Sequence, residues 1–298
     1  MNDSAGERPL APLPSDMAAL GDTPRAILDR LDSLATAHRT PLDGGGTMAW
    51  RSWGEGAPLV LLHGGYGSWA HWVRNILPFS AERRVIAPDL PGLGESDAPP
   101  EPHTAEGLAR QIVSGLRALV GDAPVDLVGF SFGGVIGGHV AAQLGAQCRR
   151  FVIVGSNGLG LPRAQLDMRS WRALPTAEER RAVHRHSLEV LMFADPARID
   201  ALALTIQQRN AEAGRVRSPQ ISRTATLREV LPRVTAALGG IWGTRDNAAA
   251  GQIESRRLAL LESHPELDFR AVPEAGHWVA YEAAEAFNAA LRSILAGA

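Results

Sequence analysis

The chain has 298 residues, 45% of them hydrophobic and 21% charged, enough to bury the core of one large α/β domain with an insertion, or of two smaller domains. A formal net charge of −2 gives no field that would gather nucleic acid or an anionic membrane. The single cysteine, Cys148, excludes an intrachain disulfide, and no apolar run reaches membrane-spanning length.

The N-terminus carries Asp3, Glu7 and Arg8 and lacks the basic start and apolar core of a secretory signal, so a cytoplasmic location is expected. Residues 1–22, with Pro9, Pro12 and Pro14, are expected to form a loose arm. Thr23-Pro24 then reads as N-cap and first helical residue, and Ile27, Leu28, Leu31 and Leu34 fall at helical spacing. Gly44-Gly45-Gly46 breaks that pattern, and Thr47 to Trp53 is expected as an edge strand.

From Pro58 the order becomes strand, helix, strand, helix. Leu59 to Leu62 is wholly apolar, as for a strand buried on both faces, and Trp69 to Leu77 is helix-compatible. Arg84 to Ala87 is the next strand, Ala105 to Val120 an amphipathic helix, and Val125 to Val128 a strand driving into Gly129-Phe130-Ser131-Phe132-Gly133. A helix follows to about Leu144, then the strand Phe151 to Val154. From about Leu161 to Arg233 no strand pattern occurs. Thr176-Ala177-Glu178-Glu179 is a capping box leading a run to Phe193, and Asp195-Pro196 starts another that ends at Gly214. Strand and helix then alternate again through Ala236 to Trp242, Gln252 to Leu261, Leu267 to Val272 and Trp278 to Leu295.

This rhythm predicts an α/β fold with a doubly wound, mostly parallel sheet whose site lies at the carboxyl ends of the strands. Its divisions are the arm, 1–22; a first core part, 23–156; a helical lid, 157–233, inserted before the last two strands; and a second core part, 234–298.

The G-x-S-x-G run sits where it has mechanical meaning, between strand and helix, although alone it also fits a glycine-rich turn whose serine caps the helix. A serine hydroxyl needs a base, a group that orients the base, and donors for a developing oxyanion. The base candidate is His277, just after the last strand, and the orienting carboxylate is Asp246, after the strand that follows the lid. The donors are the backbone N–H groups of Phe132, directly after Ser131, and of Gly65 in the His63-Gly64-Gly65-Tyr66-Gly67 loop.

His63-Gly64-Gly65, Asp89-x-Pro91-Gly92-x-Gly94-x-Ser96, Gly129-x-Ser131-x-Gly133-Gly134, Trp242-Gly243-x-x-Asp246 and Gly276-His277 occur in one order. In this the chain resembles the α/β-hydrolase-fold serine hydrolases over roughly residues 47–156 and 234–298. The resemblance implies a cofactor-free, metal-free Ser-His-Asp hydrolase of a small, largely apolar ester or related acyl compound. Serine at residue 131 departs from the haloalkane dehalogenases and epoxide hydrolases, which carry aspartate there. A second resemblance, to the meta-cleavage product hydrolases that cut a carbon–carbon bond in a vinylogous 1,5-diketone, rests on Gly276-His277-Trp278, Tyr281-Glu282 and Phe287-Asn288. It implies a carboxylate-binding role for Arg209, but that group carries asparagine where this chain has Phe130. A non-catalytic small-molecule receptor on the same fold also fits the motifs.

The remaining candidates for substrate contact are Phe130, Trp171, Met192, Phe193, Arg209 and Trp278, with lid packing the plainer role for Trp171, Met192 and Phe193. His63 is expected to shape the oxyanion loop by hydrogen bonding. His184 and His186, two apart on a helix, point to different sides and do not pair on a metal. The oligomeric state, a homo-oligomer included, stays open.

Overall fold

The computed structural model describes residues 17–249 and 251–297. Eight strands form one sheet in the order β1-β2-β4-β3-β5-β6-β7-β8. They are β1 (Thr36–Pro41), β2 (Thr47–Trp53), β3 (Pro58–Leu62), β4 (Arg84–Pro88), β5 (Val125–Phe130), β6 (Cys148–Val154), β7 (Ala237–Gly243) and β8 (Asp268–Val272). β1–β2 and β2–β4 pair antiparallel; all pairs from β4 across to β8 are parallel. The helices are α1 (Pro24–Ser33), α2 (Ile76–Ser80), α3 (Ala105–Val120), α4 (Phe132–Leu144), α5 (Ala177–Ser187), α6 (Ala201–Ala213), α7 (Ser218–Ser222), α8 (Thr226–Val230), α9 (Ile253–Leu261), α10 (Val279–Glu282) and α11 (Ala284–Ala296).

Period-two alternation sorts each inner strand between two cores. Leu59 and Leu61 of β3 pack with Val128, Val152 and Ile241 against α1, α10 and α11. Val60 and Leu62 pack on the other face with Leu127, Phe151 and Ile153 against α3 and α4. The parallel core is therefore apolar throughout, as its sequence predicts.

Between β6 and β7, residues 155–236 contain no strand. The Thr176 capping box forms as expected, and α5 runs on through a π-helical turn, Leu188–Met192. The run expected from Asp195 to Gly214 is broken: Asp195 caps only a turn at Pro196–Arg198, and Asp200 caps α6 afresh through Ala203 N–H. Thr47–Trp53 is not at the edge, because β1 covers it. The sequence of β1, Thr-Ala-His-Arg-Thr-Pro, is largely polar and half exposed, so it carries no apolar alternation to betray it. Trp69–Leu77 splits into a 3₁₀ turn (Trp69–Trp72) and α2, with Asp89 accepting from Trp69 N–H at 2.8 Å. Of the expected arm, residues 1–16 lie outside the described residues. Residues 18–20 form a 3₁₀ turn whose Leu20 is buried against α1. No helix among the described residues is long and apolar enough to cross a membrane.

Candidate active site

Ser131 follows β5 and precedes α4 with φ 51° and ψ −113°, a strained conformation for a residue with a side chain. The turn is held from both sides: Ser131 N–H donates to the Val154 carbonyl, and Ser156 Oγ donates to the Ser131 carbonyl, each at 2.8 Å. The flanking glycines are required by space. A Cβ on Gly129 would stand 2.4 Å from the Gly133 carbonyl oxygen, and one on Gly133 would stand 2.3 Å from that of Leu62.

Asp246 and His277 arrive in the loops after β7 and β8. His277 Nδ1 lies 2.9 Å from Asp246 Oδ1 and 3.0 Å from Oδ2. An ionised carboxylate only accepts, so the ring proton sits on Nδ1 and leaves Nε2 as the acceptor. Nε2 faces Ser131 Oγ at 3.0 Å. Asp246 Oδ1 also accepts from Ala248 N–H at 2.8 Å, which fixes its orientation. The three side chains that the sequence sets 115 and 31 residues apart thus form one hydrogen-bonded line, with Asp246 and His277 buried.

The N–H groups of Gly65 and Phe132 lie on this side of the sheet, and neither has an acceptor among the described residues. His63 does shape their loop: its Nδ1–H donates to the Gly64 carbonyl at 2.7 Å, while Nε2 accepts from Leu90 N–H at 2.8 Å. Burial holds His63 down at about 4, so it stays neutral. His71, which the sequence did not single out, accepts from Gly64 N–H through Nδ1 at 3.2 Å. Burial first, then the neighbouring His63 and His277, push its pKa well below the usual histidine value. Tyr66 in the same loop has φ 47°, a second strained residue at this edge.

A cavity of about 600 Å³ opens beside Ser131, walled by core residues on one side and by the helical segment on the other. Phe130 and Met192 line it, together with Met168, Asn157, Ser218, Arg163 and Arg223. The other expected contacts lie outside this lining. Phe193 and Trp278 pack behind it, 6.1 Å apart between ring centroids, and Trp278 Nε1–H donates to the His71 carbonyl. Trp171 lies against His184, and Arg209 pairs with Glu95 at 3.5 Å across the outer surface. Ser218, Asn157 and Arg223 carried no motif that marks a pocket. Only their position after β6 or beside a short helix places them there. A larger cleft of about 920 Å³ lies near α1 and α6, but its lining holds no serine, cysteine or histidine. Among the described residues no three His, Cys, Asp or Glu side chains converge so as to hold a metal ion.

A nucleophile–base–carboxylate line beside two free backbone donors is equipment for attack on a carbonyl carbon. A model of the alpha/beta hydrolase family matches residues 59–290, and the chain belongs to that family. It is a hydrolytic enzyme. It is 31% identical over 264 residues to the dihydrolipoyllysine-residue acetyltransferase component of an acetoin cleaving system from Pseudomonas putida, covering 85% of this chain and 67% of that one. It is 29% identical over 254 residues to a 2-hydroxy-6-oxo-6-phenylhexa-2,4-dienoate hydrolase from Burkholderia cepacia, covering 79% and 86%. A solved meta-cleavage product hydrolase superposes with a TM-score of 0.70 at 22% identity, over 88% of this chain and 98% of that one.

Proposed function

We propose that the protein is a serine hydrolase of carboxylic esters of small, largely apolar molecules. The observation that carries this is the Ser131–His277–Asp246 hydrogen-bonded line at the carboxyl edge of the sheet. Ser131 Oγ attacks the carbonyl carbon as His277 Nε2 takes its proton. The N–H groups of Gly65 and Phe132 hold the oxyanion, and His277 returns the proton to the departing alcohol. Water, deprotonated by the same nitrogen, then cleaves the acyl-enzyme. Residues 157–233 serve as a lid that keeps bulk water from the reacting atoms.

Carbon–carbon bond hydrolysis of the meta-cleavage type is the second reading, favoured by the likeness to the 2-hydroxy-6-oxo-6-phenylhexa-2,4-dienoate hydrolase of Burkholderia cepacia. Against it, the residue before the nucleophile is Phe130, a buried ring 5.2 Å from that of His277, which offers a dienol oxygen no polar contact.

Ser131→Ala is expected to abolish turnover of 4-nitrophenyl esters and labelling by a fluorophosphonate, with the circular dichroism spectrum unchanged. Asp246→Asn should lower kcat by about 10⁴-fold, because the amide favours the wrong tautomer of His277. Full esterase activity in Ser131→Ala would overturn the proposal. Faster turnover of a ring-fission dienoate than of any ester would select the second reading.

A further inference from the structure

The cavity wall contains two positive charges that the chemistry above does not use. Arg163 and Arg223 both line the cavity that holds Ser131, and neither side chain has a hydrogen-bond or ion-pair partner among the described residues. They also share a small polar recess with Ser156, Asn157, Ser222 and Arg256. That recess, about 10 Å³, has room for roughly one water, so a larger group would have to sit at its junction with the main cavity.

The surroundings leave this corner short of negative charge. Arg256 is buried and donates to the carbonyls of Gln252, Pro162 and Ala248, which are neutral acceptors. Asp246 is the one carboxylate that acts electrostatically on both Arg163 and Arg256, and it is already bound to His277. Burial, and then repulsion from Arg223, weaken the hold of Arg163 on its proton. Arg163 and Arg256 therefore share one engaged carboxylate, with Arg223 close enough to Arg163 to repel it. Two guanidinium forks without a protein partner, side by side and solvent-exposed on the cavity wall, bind a carboxylate well, since each donates paired, charge-assisted hydrogen bonds. Arg209, held by Glu95 outside the cavity, is not placed to do so.

We propose that the substrate carries a carboxylate, bound between Arg163 and Arg223 while its ester carbonyl meets Ser131. This rests on the serine-hydrolase reading and adds the substrate's charge: a half-ester of a dicarboxylic acid, or an ester of a hydroxy acid, fits where a neutral ester leaves both guanidiniums unpaired.

The test compares the 4-nitrophenyl monoester of adipic acid with 4-nitrophenyl hexanoate, two acyl chains of equal length. The wild type should show kcat/KM at least about tenfold higher for the anionic ester. Raising NaCl from about 0.05 to 0.5 M should erode that preference. In the double variant Arg163→Gln/Arg223→Gln the ratio should fall towards one. A wild-type ratio of one or less, unmoved by salt, overturns the proposal even if both esters are turned over rapidly. If neither ester is cleaved while a fluorophosphonate still labels Ser131, the ester reading fails alone. The carboxylate is then tested by protection: adipate should slow labelling at lower concentration than 1-hexanol in the wild type but not in the double variant, and equal protection in both proteins overturns it.

Discussion

At the scale of single residues, the site depends on histidines that must stay uncharged. His63 lies at about 4 because it is buried, against 6.5 when exposed. Between those values the unfolded chain takes up a proton that the folded protein refuses, so stability falls as the pH drops through this window and levels off for His63 below about pH 4. A shift of that size corresponds to on the order of 3 kcal/mol, and His71, also lowered, acts in the same direction. The urea midpoint should therefore fall steadily from pH 7 to 4.5, and His63→Gln should flatten the slope. Ser131, Asp246, His277, Gly65 and Phe132 were all legible in the sequence, because each sits at the end of a strand that the apolar pattern locates. Arg163, Arg223 and Ser218 were not. They lie on irregular backbone or at the ends of the five-residue α7, where side-chain direction follows from packing across the chain and not from local periodicity.

At the scale of elements, α10 joins the base to the helical segment. Glu282, buried at its end, accepts from Gly276 N–H at 2.7 Å, Asp195 N–H at 2.9 Å and Ala194 N–H at 3.0 Å. Trp278 N–H donates to the Met192 carbonyl at 2.8 Å. The loop carrying His277 is thus tied to residues 192–195 by three of these hydrogen bonds, and the fourth holds Gly276 to the same Glu282 carboxylate. Glu282→Gln turns one acceptor into a donor facing these N–H groups. We expect a loss of about 2 kcal/mol or more in unfolding free energy. A fall in kcat of up to about 100-fold should accompany it as the ring loosens, with KM little changed. Comparing denaturation curves and steady-state rates of the two proteins checks both numbers. The capping box at Thr176 and the long helices α3 and α4 were readable to within a residue or two, since capping and periodicity are local. The break between Asp195 and α6 was not, because Asp200 owes its place to Arg74 and to Tyr281 Oη at 2.6 Å, contacts remote in sequence.

Over the whole molecule, one buried ion cluster stands at the end of the sheet away from Ser131. Ser131, Asp246 and His277 follow the carboxyl ends of β5, β7 and β8, whereas Asp126, near the start of β5, is fully buried and holds both Arg83 and Arg149. Removing that charge leaves two guanidiniums without their partner far from Ser131. Asp126→Asn is expected to cost about 3–5 kcal/mol, read as a lowered thermal midpoint, while kcat/KM at 25 °C stays near the wild-type value. The doubly wound architecture could be inferred from alternation alone. The eighth strand, β1, could not, because a polar edge strand announces itself only through the partner it covers.

The roof of the 600 Å³ cavity is fastened to the core at several places. Among them are the Met192–Asp195 seam beside His277, the pair of bonds from Arg215 and Val216 N–H to the Gly92 carbonyl, and the bond from Arg256 to the Pro162 carbonyl. Residues 163–168, which follow the Pro162 attachment, make no backbone–backbone hydrogen bond to the core. Arg163, on this strip, lines the same cavity as Ser131, so a molecule bound there lies against its guanidinium.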